Sequence, residues 1–170
     1  MITLYIKKRN FVNNRKIYDR NNDVKYTAKE INMAIHMKNE LEDVLDIMFY
    51  LMQNSRENTF VTILISAKNI ALKEVLEKEK RDTDLVYDID KDESICAMIC
   101  QETEVDGGYH FAQRIIENIT AADGEEIYCT VLEVKTNKYS IKDIIFRTLD
   151  TYLKARHEEK SGQIIFKSLY

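Results

Sequence analysis

The chain has 170 residues, with 25 Lys+Arg against 29 Asp+Glu for a net charge of −4, and 45% of its residues are hydrophobic. That length fits one domain with a substantial core, and the slightly acidic balance argues against a protein that coats nucleic acid in general. No apolar run approaches the roughly 18 residues of a membrane span, and the opening Met-Ile-Thr-Leu-Tyr-Ile-Lys-Lys-Arg places its apolar part ahead of its basic part, the reverse of a secretory signal.

Ile2 to Ile6 reads as a short strand, and Phe11 to Asp23, rich in Asn, Asp, Arg and Lys, as a loop or irregular hairpin. Thr27 is a good helix N-cap, and Glu30 completes a capping box. In the helix that follows, Ala34, Met37, Leu41, Val44, Met48 and Leu51 recur in alternating steps of 3 and 4, a heptad-like stripe broadened by Leu45, Ile47, Phe49 and Met52. The helix is expected to stop near Asn54-Ser55. A stripe of that width packs on a sheet, or else forms a dimer seam or partner-docking face.

Phe60 to Ser66 is a continuous apolar run rich in β-branched residues, as expected of a strand covered on both faces. Asn69 to Lys80 reads as a helix with Leu72, Val75 and Leu76 inward. Leu85–Ile89 and Ile95–Cys100 form a hairpin around Asp90-Lys91-Asp92-Glu93-Ser94. Asp106–Thr120 is a helix, Ile127–Val134 a strand, Ser140 caps a last helix, and Ile164–Phe166 is a final strand beyond Gly162. From Phe60 the order is βαββαβ and then αβ, and its first six elements give the ferredoxin-like split βαβ arrangement. The whole reads as one α+β domain with an N-terminal strand-and-helix extension.

Four glycines and no proline leave no dinucleotide fingerprint and no P-loop. His36, His110 and His157 are far apart in sequence, so a structural zinc site is not expected. Cys96 and Cys100, about 13 Å apart along one strand face, are too distant for a disulfide. With Cys129 they read as small buried hydrophobes, and a reducing cytoplasm is the expected compartment.

Arg81-Asp82-Thr83-Asp84-Leu85-Val86-Tyr87, a hairpin tip, and then Ile95-Cys96-Ala97-Met98-Ile99-Cys100-Gln101-Glu102-Thr103 resemble the centre of a GGDEF domain, the diguanylate-cyclase-like family built on the nucleotidyl-cyclase palm. Ala71-Leu72-Lys73-Glu74-Val75 resembles the helix leading into that family's R-x-x-D motif. Phe111-Ala112-Gln113-Arg114-Ile115 resembles its AxRI helix, Ser140 to Arg156 its last helix, and Gly162-Gln163-Ile164 its closing strand. The likeness runs from about Phe60 to Phe166, which divides the chain into an extension over residues 1–57 and a GGDEF-like domain over residues 58–170.

The departures from the family pattern bear on function. Counted from Asp84, the turn that gives the family its name falls on Asp90-Lys91-Asp92-Glu93-Ser94, so Asp90 and Lys91 stand where two glycines admit nucleotide. Counted back from Gln101-Glu102-Thr103, the hairpin is about two residues longer than the family's. Ser66 stands where active members carry a metal-binding Asp, and two-metal phosphoryl chemistry needs carboxylates on both sides of the ions. The resemblance therefore implies a degenerate, non-catalytic member with no catalytic or metal-binding residues and no cofactor.

The resemblance also implies a ligand site. The family's inhibitory-site motif maps to Arg81 and Asp84, and its supporting arginine to Arg114. Arg can pair with guanine O6 and N7, Asp can accept from the donor edge of the same base, and a second arginine can stack or meet a phosphate. Degenerate members keeping this trio act as cyclic di-GMP receptors. The same spacing also occurs at Arg20/Asp23 and Arg147/Asp150, so only its place before the hairpin gives it weight, and the other reading is an ordinary surface ion pair. A calcium loop over Asp88, Asp90 and Asp92 lacks the glycine and the final glutamate it needs, with Glu93 and Ile99 in those places. Two functions follow from this reading of the sequence. One is a non-catalytic regulatory receptor for cyclic di-GMP, working with a protein partner or as a homodimer. The other is an interaction scaffold without nucleotide binding that docks partners through the N-terminal helix.

Overall fold

The structure, a computed structural model, describes residues 4–6, 24–54 and 59–170. The chain runs β1 (Leu4–Ile6), β2 (Val24–Tyr26), α1 (Ala28–Asn54), β3 (Phe60–Lys68), α2 (Leu72–Glu79), β4 (Leu85–Asp90), β5 (Ile95–Gln101), α3 (Val105–Ala121), β6 (Glu125–Val134), α4 (Ile141–His157) and β7 (Ile164–Leu169). β1 and β2 pair antiparallel, Leu4 opposite Tyr26. The segment Phe11–Asp23 lies outside the described residues.

The other five strands form one mixed sheet in the order β4-β5-β3-β6-β7. β3 lies between β5 and β6, antiparallel to both, whereas β6 and β7 are parallel. The crossovers β3-α2-β4 and β5-α3-β6 are interleaved, each spanning a strand of the other. Pleating sends alternate residues of β3 to opposite faces. Phe60 and Leu64 meet α1 and α4, whereas Val61, Ile63 and Ile65 meet α2 and α3. Helices thus cover both faces, and β3 is buried from Phe60 to Ala67, as its unbroken apolar run requires.

α1 begins where the capping box places it. The Thr27 N–H donates to Glu30 Oε2 at 2.7 Å, and the Glu30 N–H donates to Thr27 Oγ1 at 3.2 Å. Its buried stripe is Met33, Met37, Leu41, Val44, Leu45 and Met48, packed on the sheet and α4. Leu51, expected in the stripe, is 37% exposed. Eighteen residues make five full turns, so Leu51 projects on the same face as Met33; its exposure comes with its place near the end of α1, beyond Met48, the last buried residue of the stripe. α2 starts at Leu72 and not at Asn69, because Asn69 takes a left-handed φ of 61°, a conformation asparagine tolerates better than most residues.

At Gly108, α3 comes close to the sheet: a Cβ there would stand 2.9 Å from Val61 Cγ1 and 3.0 Å from Val131 Cγ1. The start of this helix is held by Glu133 of β6, a fully buried side chain whose Oε1 accepts from the Val105 N–H at 2.7 Å and from Lys135 Nζ at 3.3 Å. These contacts fix α3 against β6, where it also packs on β7 and β3 and beside α2.

Candidate functional site

Arg81, Asp84 and Arg114 line one cavity of about 250 Å³, together with Cys100, Thr103, Gly107, His110 and Phe111. Three pieces of chain build it. The α2–β4 turn supplies Arg81 and Asp84, the end of β5 and the residues after it supply Cys100 and Thr103, and α3 supplies the rest. Gly107, His110, Phe111 and Arg114 sit at helical spacing on one face of α3. Gly107 has no side chain, which leaves the N-terminal end of that face open.

Arg81 and Asp84 close on each other. Arg81 Nε donates to Asp84 Oδ2 at 3.1 Å and Nη2 to Oδ1 at 2.8 Å, a bidentate pair. The Arg81 main-chain N–H also donates to Asp84 Oδ2, at 3.1 Å. Nη2 further reaches the Gln101 carbonyl at 2.8 Å and Thr103 Oγ1 at 2.6 Å. The Asp84 side chain is 2% exposed, whereas that of Arg81 is 53% exposed. The hydrogen bond from the guanidinium to Asp84 holds the arginine's pKa above its ordinary value. The tetrapeptide therefore ties the α2–β4 turn to the end of β5 and still shows one side of the arginine to the cavity.

Arg114 lines the cavity from α3. Its Nε donates to Glu79 Oε2 at 3.1 Å and its Nη2 to the Glu79 carbonyl at 3.2 Å, with the guanidinium carbon 5.2 Å from the Phe111 ring centroid. Its side chain is 54% exposed. Arg81 Nη1 and Arg114 Nη1 have no hydrogen-bond partner among the described residues.

The far end of the sheet carries Ser66 and the β4–β5 hairpin tip. Tyr152 Oη donates to Ser66 Oγ at 2.7 Å, and both side chains are buried. Glu93, at the hairpin tip, takes Lys29 Nζ at 2.5 Å and Arg156 Nη2 at 3.3 Å. The hydrogen bond from Lys29, helped by the Arg156 charge, pulls the Glu93 carboxyl below the usual glutamate range. Asp88 pairs with Lys73 at 2.8 Å, and Asp90 Oδ1 accepts the Glu93 N–H at 3.0 Å. Among the described residues, no three His, Cys, Asp or Glu side chains gather as metal ligands.

Cys96, Cys100 and Cys129 are free and buried on the α2/α3 face of the sheet. Burial pushes each thiol up to about 12. A second concavity lies between α1 and α4, lined mainly by apolar side chains that include Tyr26, Ile31, Ile35 and Phe146. Tyr26 and Phe146 meet edge to face there at 6.1 Å. Ile35 is 53% exposed and Phe146 42%.

Sequence reasoning singled out the two arginines and the aspartate but not Thr103, Gly107, His110 or Phe111. The α3 residues carry a signal once Arg114 is placed, since Gly107, His110 and Phe111 precede it by 7, 4 and 3 positions on one helix face. Thr103 carries none, because its role depends on where β5 ends against the α2–β4 turn. No helix among the described residues is long and apolar enough to cross a membrane. The sequence matches no protein-family model and no curated protein.

Proposed function

We propose that the chain is a non-catalytic regulatory domain of the degenerate GGDEF type, with a nucleotidyl-cyclase palm, that binds cyclic di-GMP in the cavity of Arg81, Asp84 and Arg114. The observation that carries this reading is convergence: the Arg81–Asp84 tetrapeptide and Arg114, singled out from two separate parts of the sequence, line one open cavity, with both arginine side chains about half exposed. The interleaved crossovers and the strand order β4-β5-β3-β6 support the palm. A catalytic role is disfavoured by Ser66, which is bonded to Tyr152, and by Glu93, which two cations neutralise.

The cavity is smaller than a typical ligand pocket of roughly 300–1,000 Å³, so it takes one half of such a ligand and leaves the other half at the surface for a second subunit or partner. Calorimetric titration of the purified chain with cyclic di-GMP tests this. Micromolar binding in the wild type, lost in Gly107→Leu while the circular dichroism spectrum is kept, supports the reading. An absence of both heat and thermal shift with the wild type overturns it.

A second reading, the interaction scaffold, is favoured by the exposed apolar residues of α1 and the groove it forms with α4. It predicts that Ile35→Glu abolishes partner capture while leaving any nucleotide titration unchanged.

A further inference from the structure

The closed Arg81–Asp84 pair bears on which cyclic dinucleotide the cavity accepts. Reading guanine by arginine needs two parallel donors on one edge of the guanidinium, aimed at O6 and N7. Both donors of the Nε/Nη2 edge are spent on Asp84, and the remaining proton of Nη2 points to Gln101 O and Thr103 Oγ1. Only Nη1 is left, and one nitrogen cannot supply the fork from either edge. Asp84 is no more available. Its oxygens accept from Arg81 N, Nε and Nη2, and its side chain is 2% exposed. A guanine could reach it only after Arg81 swung out and gave up its four side-chain partners.

What the cavity does present are the N–H groups of Arg81 Nη1 and Arg114 Nη1, two diverging protons on each nitrogen, and the imidazole of His110. Point donors from cations suit the oxygens of a phosphodiester, and the exposed imidazole ring of His110 accepts the face of any base, whereas Phe111 is already covered by Arg114.

We propose that the cavity takes the phosphodiester of a cyclic dinucleotide through Arg81 and Arg114 and is indifferent to whether the purine is guanine or adenine. This rests on the reading that the cavity binds nucleotide, and the two are separable by experiment. The purified chain is titrated with cyclic di-GMP and with cyclic di-AMP at one fixed salt concentration. Dissociation constants within threefold of each other, both lost in Arg114→Ala and in Gly107→Leu, support the inference. Gly107→Leu touches no charge and occupies a helical position without a left-handed φ, but its Cβ would stand 3.2 Å from Thr103 Cγ2, so Arg114→Ala, which removes a half-exposed side chain, carries the test if Gly107→Leu fails to fold. Direct base reading by a bidentate pair would separate the two ligands by about 5- to 150-fold. A preference for cyclic di-GMP above threefold means that the pair opens to read the base, which overturns the inference and leaves the receptor reading standing. Binding that survives both substitutions overturns the site. Binding of neither ligand overturns the receptor reading and the inference together.

Discussion

Replacing Arg81 by alanine tests whether the arginine–aspartate pair is part of the fold or a surface ornament. The substitution removes four side-chain hydrogen bonds. Gln101 O and Thr103 Oγ1 keep one another, since Thr103 Oγ1 also donates to Gln101 O at 2.8 Å. The cost therefore falls on Asp84, a carboxylate whose side chain is 2% exposed and which retains only the main-chain N–H of residue 81. Removing one partner of a buried ion pair costs about 3–5 kcal/mol. Because Arg81 is half exposed, water enters where its guanidinium was, which lowers the expected loss to about 2–3 kcal/mol. For a chain of this size that is a fall in Tm of about 4–12 °C. Urea unfolding followed by circular dichroism at pH 7 measures it. Arg81→Ala/Asp84→Ala should be no less stable than Arg81→Ala alone, because the second substitution removes the stranded charge. A loss below about 0.5 kcal/mol for Arg81→Ala, the scale of an exposed pair, would refute the reasoning.

The thiols of Cys96, Cys100 and Cys129, pushed up to about 12 by burial, should be silent to a disulfide reagent in the native protein at pH 8 and all react in denaturant; a thiol that reacts on mixing in the native state contradicts their burial. Glu93 has a folded pKa below its unfolded one, so its stabilisation is full above the unfolded value near 4.5 and is lost as pH falls through the lower folded value. The urea midpoints of wild type and Glu93→Gln should thus differ at pH 7 and draw together as pH falls below 4.5, and a gap that does not narrow would show that Glu93 acts through packing alone. Gly108→Ala should destabilise by about 1–3 kcal/mol despite alanine's better helix propensity, since its Cβ would press on Val61 and Val131; a gain in Tm would mean that α3 moves freely off the sheet.

Much of the fold is legible because local chemistry and tertiary need agree. Thr27 with Glu30 and Ser140 mark helix starts that the structure keeps, both as reciprocal capping boxes, the second completed by Asp143. The apolar run from Phe60 predicts a two-faced strand, and helices lie on both faces. α2 starts later than the composition of Asn69–Lys80 suggests because backbone sterics prevail there, at the left-handed Asn69. The three-residue strand Val24–Tyr26 is too short to show a period of two. Glu133 sits in an otherwise apolar strand with no local sign that α3 would start above it and donate a main-chain N–H.

The candidate site divides in the same way. Spacing brought Arg81 near Asp84, but spacing gives proximity and not direction. That the two side chains grip each other follows from burial of the aspartate under the α2–β4 turn. The sequence suggested an arginine and an aspartate both turned to a base; the fold turns them to each other.

Backbone amide shifts of the labelled chain, recorded as cyclic di-GMP is added, test the central claim most directly because they locate any bound ligand residue by residue. The account predicts movement confined to residues 81–84, Thr103 and the Gly107–Arg114 face of α3. A spectrum that stays still, or one that moves along the groove between Ile35 and Phe146, would contradict it.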